Sequence, residues 1–248
     1  MHPVVVAGVV LSVAWAAIPA VRDSPYVSQA PGTPFNVYIG LVTLPSFLLG
    51  PLTLFATSLL ASRERRAGTT EILAAVPASA RTQTLGLLIA PAGPAALAAV
   101  VAAAQVAVFR AFGLVPSRWP TIEELAIHPT MVLGGGMLGV AVARWLPVPG
   151  GTALIMFLLV ATYPAGAALG RDSWMSFAPL MDLATTEDFQ HVTYFPGSVA
   201  WHVAYLLCLD AMAAIAALLA TPGPKRGLLT IGAGAALAAA AAGWAQLP

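Results

Sequence analysis

Residues 62–81 read Ser-Arg-Glu-Arg-Arg-Ala-Gly-Thr-Thr-Glu-Ile-Leu-Ala-Ala-Val-Pro-Ala-Ser-Ala-Arg and hold four of the chain's eleven basic residues, Arg63, Arg65, Arg66 and Arg81. On either side lie residues 37–61 and 84–109, two runs without one Asp, Glu, Lys or Arg. A helix needs about 20 mostly apolar residues to cross a bilayer. Each run is long enough, so the basic stretch is a connector between two crossings.

The rest of the chain agrees. Of 248 residues, 59% are hydrophobic and 8% charged, with mean hydropathy +0.85. Soluble domains carry about 25% charged residues, and a soluble fold of this size could not surface itself with so few. The class is an integral membrane protein. A net charge of +1 points to no nucleic-acid partner. The single cysteine, Cys208, sits in an apolar run and reads as a packing residue, with no intrachain disulfide. The first apolar run lacks a basic leader and is long enough to span, so it reads as mature structure.

The pattern predicts an all-α polytopic bundle of six to seven transmembrane helices, one transmembrane domain over residues 1–248. The spans fall at about 4–21, 37–61, 84–109, 130–146, 152–169, 198–220 and 228–244. The fourth and fifth look short and are joined by Pro147-Val148-Pro149-Gly150-Gly151, which predicts a tight helical hairpin. The seventh is mostly alanine and glycine, with an interfacial helix as the alternative. Prolines 45, 51, 91, 94 and 164 predict kinks that neighbouring helices make tolerable. Gly135 and Gly139 have the small-xxx-small spacing that lets backbones approach, read here as packing within the bundle.

Basic loop residues set orientation. Arg63, Arg65, Arg66, Arg81, Arg144, Lys225 and Arg226 fall on one side, and Arg22, Arg110, Arg118 and Arg171 on the other. The larger set predicts a cytoplasmic face with the N-terminus inside, while Glu123 and Glu124 join most acidic residues outside. Residues 171–196 place Trp174, Phe177, Ala178 and Met181 at helical spacing, predicting an amphipathic helix at the outer interface. Trp201, His202 and Tyr205 read as part of an aromatic belt.

Within the connector, Gly68 suits the end of one helix. Thr69 or Thr70 can cap the next, with Glu71 at its positive end. Pro77 limits that helix to about two turns, 70–76. Ile72, Leu73 and Val76 form its apolar ridge, and Ser79 can cap the following span. A ridge flanked by arginines suits a groove on a soluble partner or a seat on lipid headgroups. The residues alone leave both open.

The connector resembles the coupling segment of ABC-transporter permeases of the drug- and polysaccharide-export class. The corresponding positions are Arg65, Arg66, Gly68, Thr69, Glu71, Leu73 and Pro77, with weaker likeness in Leu49-Gly50-Pro51-Leu52, Trp174-Met175 and Pro196-Gly197-Ser198. The resemblance implies a half-size membrane subunit of the cytoplasmic membrane rather than an enzyme. It implies two partners besides the bilayer: a separate ATPase that binds ATP and magnesium, and a second permease chain. This chain itself would need no cofactor. The pattern departs from the family in two ways: His2-Pro3 leads almost directly into the first span, so the usual amphipathic elbow is expected to be missing, truncated or supplied by another chain, and residues 228–244 would add a seventh span.

No Gly-x-x-x-x-Gly-Lys-[Ser/Thr] cradle is present, and no serine or cysteine triad is recognisable. The four histidines lack metal-ligand spacing, so no metal site is expected. Two polar residues lie deep in spans. Asp210 is by its position a functional candidate: it can hold a proton, pair with Arg144, line a substrate path, or bond to a Ser, Thr or Gln105. Gln105 reads as interhelical glue. The leading expectation is an exporter subunit for a hydrophobic or amphipathic substrate. The alternatives are a proton-coupled secondary transporter using Asp210 and a non-transport accessory subunit.

Overall fold

The computed structural model describes residues 44–63, 79–113, 119–148, 150–168 and 197–247. The first predicted span, the coupling helix and the outer segment 171–196 lie outside them. Among the described residues the chain is all helix: α1 Leu44–Ala61, α2 Ala80–Ile89, α3 Ala92–Ala111, α4 Ile122–Trp145, α5 Gly151–Ala168, α6 Val199–Leu219 and α7 Arg226–Ala245. Among the described residues four helical stretches are long and apolar enough to cross a membrane: Ala80–Ala111, α4, α6 and α7.

α4 is the axis of the bundle. It packs against α1, α3 and α6, and α7 packs on α6. Leu49 meets Val132 near the middle of α4, and Ala61 meets Val140 and Ala143 near its end, so α1 runs parallel to α4. Ala98 also meets Val132, whereas Leu88 meets Val140, so α2 and α3 run antiparallel to it. Leu206 lies against Ile127 and Met131, and Ala217 against the Val140 cluster, which makes α6 parallel. Gly232 approaches Ile215, and Gln246 meets His202, so α7 returns along α6. Thus α1, α4 and α6 run one way, and α2, α3 and α7 the other.

α4 begins eight residues earlier than the hydropathy pattern predicts and has 24 residues, about 36 Å at 1.5 Å per residue. It is not a short span. Thr121 and Glu124 form a capping box: the Thr121 N–H donates to Glu124 Oε2 (2.7 Å) and the Glu124 N–H to Thr121 Oγ1 (3.3 Å). This satisfies two of the donors that a helix start leaves open. Glu124, expected in an outer loop, is fully buried. Pro129 is accommodated inside the helix.

The predicted span 84–109 is two helices, broken at Ala90 and Pro91. Pro91 has no N–H to continue the ladder, and its ring occupies the space a side chain on Gly136 would need. Pro94 falls in the first turn of α3, where proline is tolerated. Ser79 caps α2 as expected, accepting from the Thr82 N–H at 3.1 Å. Gly150, with φ +83°, turns the chain between α4 and α5. The alanine-rich α7 is a full 20-residue helix.

Candidate functional site

Every residue of the predicted coupling segment (Arg65, Arg66, Gly68, Thr69, Glu71, Ile72, Leu73, Val76 and Pro77) lies outside the described residues. Its two anchors are described. α1 ends with Ala61 packed in a cluster with Leu88, Val140, Ala141, Ala143 and Ala217. Leu88 belongs to α2, so the connector leaves and returns at one end of the bundle. The same end holds the last turns of α4 and α6 and the starts of α5 and α7. It therefore gathers Arg63, Arg81, Arg144, Lys225 and Arg226. Among the described residues no carboxylate is found there: Glu123 and Glu124 start α4 at the opposite end, and Asp210 lies midway along α6.

Aromatic residues mark both ends. Trp145 is exposed at the basic end and donates its indole N–H to the Ala216 carbonyl (2.8 Å), tying α4 to α6. Trp201 and Trp244 are exposed at the other end, where Arg110 also lies 4.6 Å over the Trp119 ring. This distribution suits two headgroup levels. His202 does not belong to either belt. It is buried, and its Nδ1 lies 2.9 Å from Gln246 Oε1, while the Ser198 N–H donates to the Gln246 carbonyl (3.1 Å). The imidazole clasps α7 to α6.

The glycines of α4 form the seam on which the bundle closes, as the packing reading of Gly135 and Gly139 predicted. A Cβ on Gly135 would lie 2.5 Å from the Gly50 carbonyl oxygen, and one on Gly139 would lie 2.3 Å from that of Leu54. The Thr57 hydroxyl reaches the Gly136 carbonyl at 2.9 Å, a direct bond between α1 and α4. Gly134 faces α6, and the group it receives is the carboxyl of Asp210: a Cβ there would lie 1.9 Å from Oδ1.

Asp210 is 7% exposed, and its Oδ2 has no hydrogen-bond partner among the described residues. None of the expected partners is engaged. Arg144 stands ten residues beyond Gly134 on α4, about 15 Å along the axis. Gln105 is buried too, but neither of its amide atoms finds a partner among the described residues, so it makes no such bond to Asp210. Its expected role as interhelical glue is not observed. The other buried residues near it on that helix, Ala98, Val101 and Ala102, carry no polar side-chain group. Asp210 and Gln105 are thus buried polar groups on different helices, not one hydrogen-bonded pair.

Among the described residues no group of three His, Cys, Asp or Glu side chains could hold a metal ion. His128, read from the sequence as one of four scattered histidines, is buried within α4, and buried Thr53 on α1 was not singled out, since an isolated threonine there looks like ordinary span content. Comparison with protein-family models, curated proteins and solved structures finds no match to this chain.

Proposed function

We propose that the chain is the membrane-spanning permease subunit of an ABC exporter in the cytoplasmic membrane, with its N-terminus inside. In this reading a separate ATPase docks on the connector between α1 and α2. Its ATP-driven movement is passed to the bundle and switches access for a hydrophobic or amphipathic substrate, a coupling of two sites through an element with two states. A second permease chain completes the pathway. ATP and magnesium belong to the ATPase.

The observation that carries the proposal is the gathering of basic residues at the end where the connector leaves α1 and rejoins α2. That end fits the cytoplasmic face by the positive-inside rule. The resemblance of Arg65, Arg66, Gly68, Thr69, Glu71, Leu73 and Pro77 to a coupling segment adds the partner, with Ile72 and Val76 completing the ridge. A neighbouring reading frame that encodes an ATP-binding-cassette ATPase would supply the partner, and co-expression with it tests the proposal. Glu71→Arg and Leu73→Asp should lose the ATPase on purification while the chain still inserts. Retention of the ATPase with full substrate-coupled hydrolysis in both variants overturns the proposal.

Asp210 supports a second reading, a proton-coupled transporter, because a carboxyl buried midway along α6 carries an Oδ2 without a partner among the described residues. Transport that survives Asp210→Asn with an unchanged pH dependence excludes that reading.

A further inference from the structure

The break between α2 and α3 falls half way across the membrane. α2 starts at Ala80, at the basic end, and its 10 residues carry the chain about 15 Å, half of a hydrocarbon core about 30 Å thick. Pro91 offers no N–H to the Leu87 carbonyl, and Pro94 offers none to that of Ala90. Both carbonyls lose their ladder donor at a depth where no bulk water replaces it.

A donor stands beside the break, on α1. Thr53 is 1% exposed, and its Oγ1 has no hydrogen-bond partner among the described residues. The hydroxyls of Thr57, Thr84 and Thr130 each donate to the carbonyl one turn back in their own helix, at 2.9, 2.9 and 2.8 Å. That of Thr53 does not. Gly136 fixes its place: a Cβ there would lie 2.4 Å from the Pro91 ring and 3.3 Å from the Thr53 methyl group. Thr53 and Pro91 therefore flank the same point of α4.

The two halves of the broken helix are held unequally. α3 is seated by Ala95 and Ala98 against Leu49 and Val132. The buried apolar anchor of α2 is Leu88, which rests on Ala61, Val140, Ala141, Ala143 and Ala217. That surface is mostly alanine and has few long side chains to interlock with a neighbour. We propose that Ala90–Pro91 is a hinge about which α2 swings while α3 stays on α4, and that the Thr53 hydroxyl is its latch. In the swung state Thr53 donates to the Leu87 carbonyl; the conformation described above is the unlatched one. A two-state element of this kind is what a docking movement at the connector would bias. That use rests on the ATPase reading, whereas hinge and latch rest on the helix break, so the test employs this chain alone.

The experiment places pairs of spin labels on the full chain in nanodiscs, with Cys208→Ser. Labels at Ala80 and Leu229 report on α2, and labels at Ala104 and Ala240 report on α3; all four positions are exposed. A kink change of about 20° moves the end of a lever of about 15 Å by about 5 Å. The expected result is two distances for the first pair and one for the second. Thr53→Val should lower the swung-to-unswung ratio about five-fold, which corresponds to about 1 kcal/mol for one net hydrogen bond, and Thr53→Ser should keep the ratio of the unmodified chain. Pro91→Ala with Pro94→Ala should merge the two distances into one. Should that pair fail to fold, amide exchange of the unmodified chain decides: residues 82–90 should exchange together and ahead of residues 95–109. A single distance between Ala80 and Leu229, two distances in both pairs, an unchanged ratio in Thr53→Val, or equal protection of α2 and α3 overturns the proposal.

Discussion

The carboxyl of Asp210 rests on the α-carbon of Gly134, in a space where a single methyl group would fall 1.9 Å from Oδ1. The acidic residue of α6 and the glycine of α4 therefore form one fitted pair. Gly134→Ala should cost about 1–3 kcal/mol, as overpacking does. Combining it with Asp210→Ala should recover much of that loss, because the obstruction is a side chain. Thermal unfolding of the four proteins of this double-mutant cycle in detergent measures the coupling. Additive costs would mean that the two residues are not in contact.

Gly135→Ala should be the more damaging change. Its methyl group would meet the Gly50 carbonyl oxygen at 2.5 Å, and a backbone atom cannot rotate away. Relief requires α1 to move off α4, which also breaks the bond from Thr57 to Gly136. The expected ranking is a larger loss of stability than for Gly134→Ala, with the oligomeric state of the folded fraction unchanged. A shift in oligomeric state without loss of stability would instead place Gly135 in a contact between chains.

Gln246→Leu should loosen the far end of α7. It leaves the buried His202 without its 2.9 Å partner, at a cost of about 1–3 kcal/mol. Hydrogen exchange should rise at residues 198–202, where the Ser198 N–H is also held by the Gln246 backbone. His202→Phe alone should show the same local effect, and the double variant should cost less than the two single changes together.

Thr121→Ala should fray the start of α4 and cost about 0.5–2 kcal/mol. The measurement is faster amide exchange confined to residues 122–126, with the glycine seam still protected.

Much of the architecture was legible because hydropathy is averaged over whole spans. The helices α5, α6 and α7 fall within two residues of the stretches predicted for them, and Arg63, Arg81, Arg144, Lys225 and Arg226 collect at one end with Arg110 at the other, as their spacing implied. What escaped the sequence depends on single contacts. Glu123 and Glu124 cut the apolar window at Thr130, although Thr121 and Glu124 carried the [Ser/Thr]-x-x-Glu signature that extends α4. The break before Pro91 was foreshadowed by proline, but its fit against Gly136 joins residues 45 apart. For His202 nothing local distinguishes a belt residue from a buried clasp, since the deciding partner, Gln246, lies one helix away. Asp210 was recognised as unusual, whereas its neighbour was not. The expected arginine or hydroxyl partner is a glycine, chosen for the room it leaves.

The glycine seam also constrains how the protein is made. α4 is met by α1 and Pro91 from the N-terminal side of the chain and by α6 from the C-terminal side. The earlier helices can settle against α4 as soon as it enters the bilayer. The face presented by Gly134 then stays open until α6 is synthesised and delivers Asp210. Until then this groove in α4 is exposed to lipid or to a chaperone, and a chain released before α6 would be recognisable to quality control by that unfilled groove.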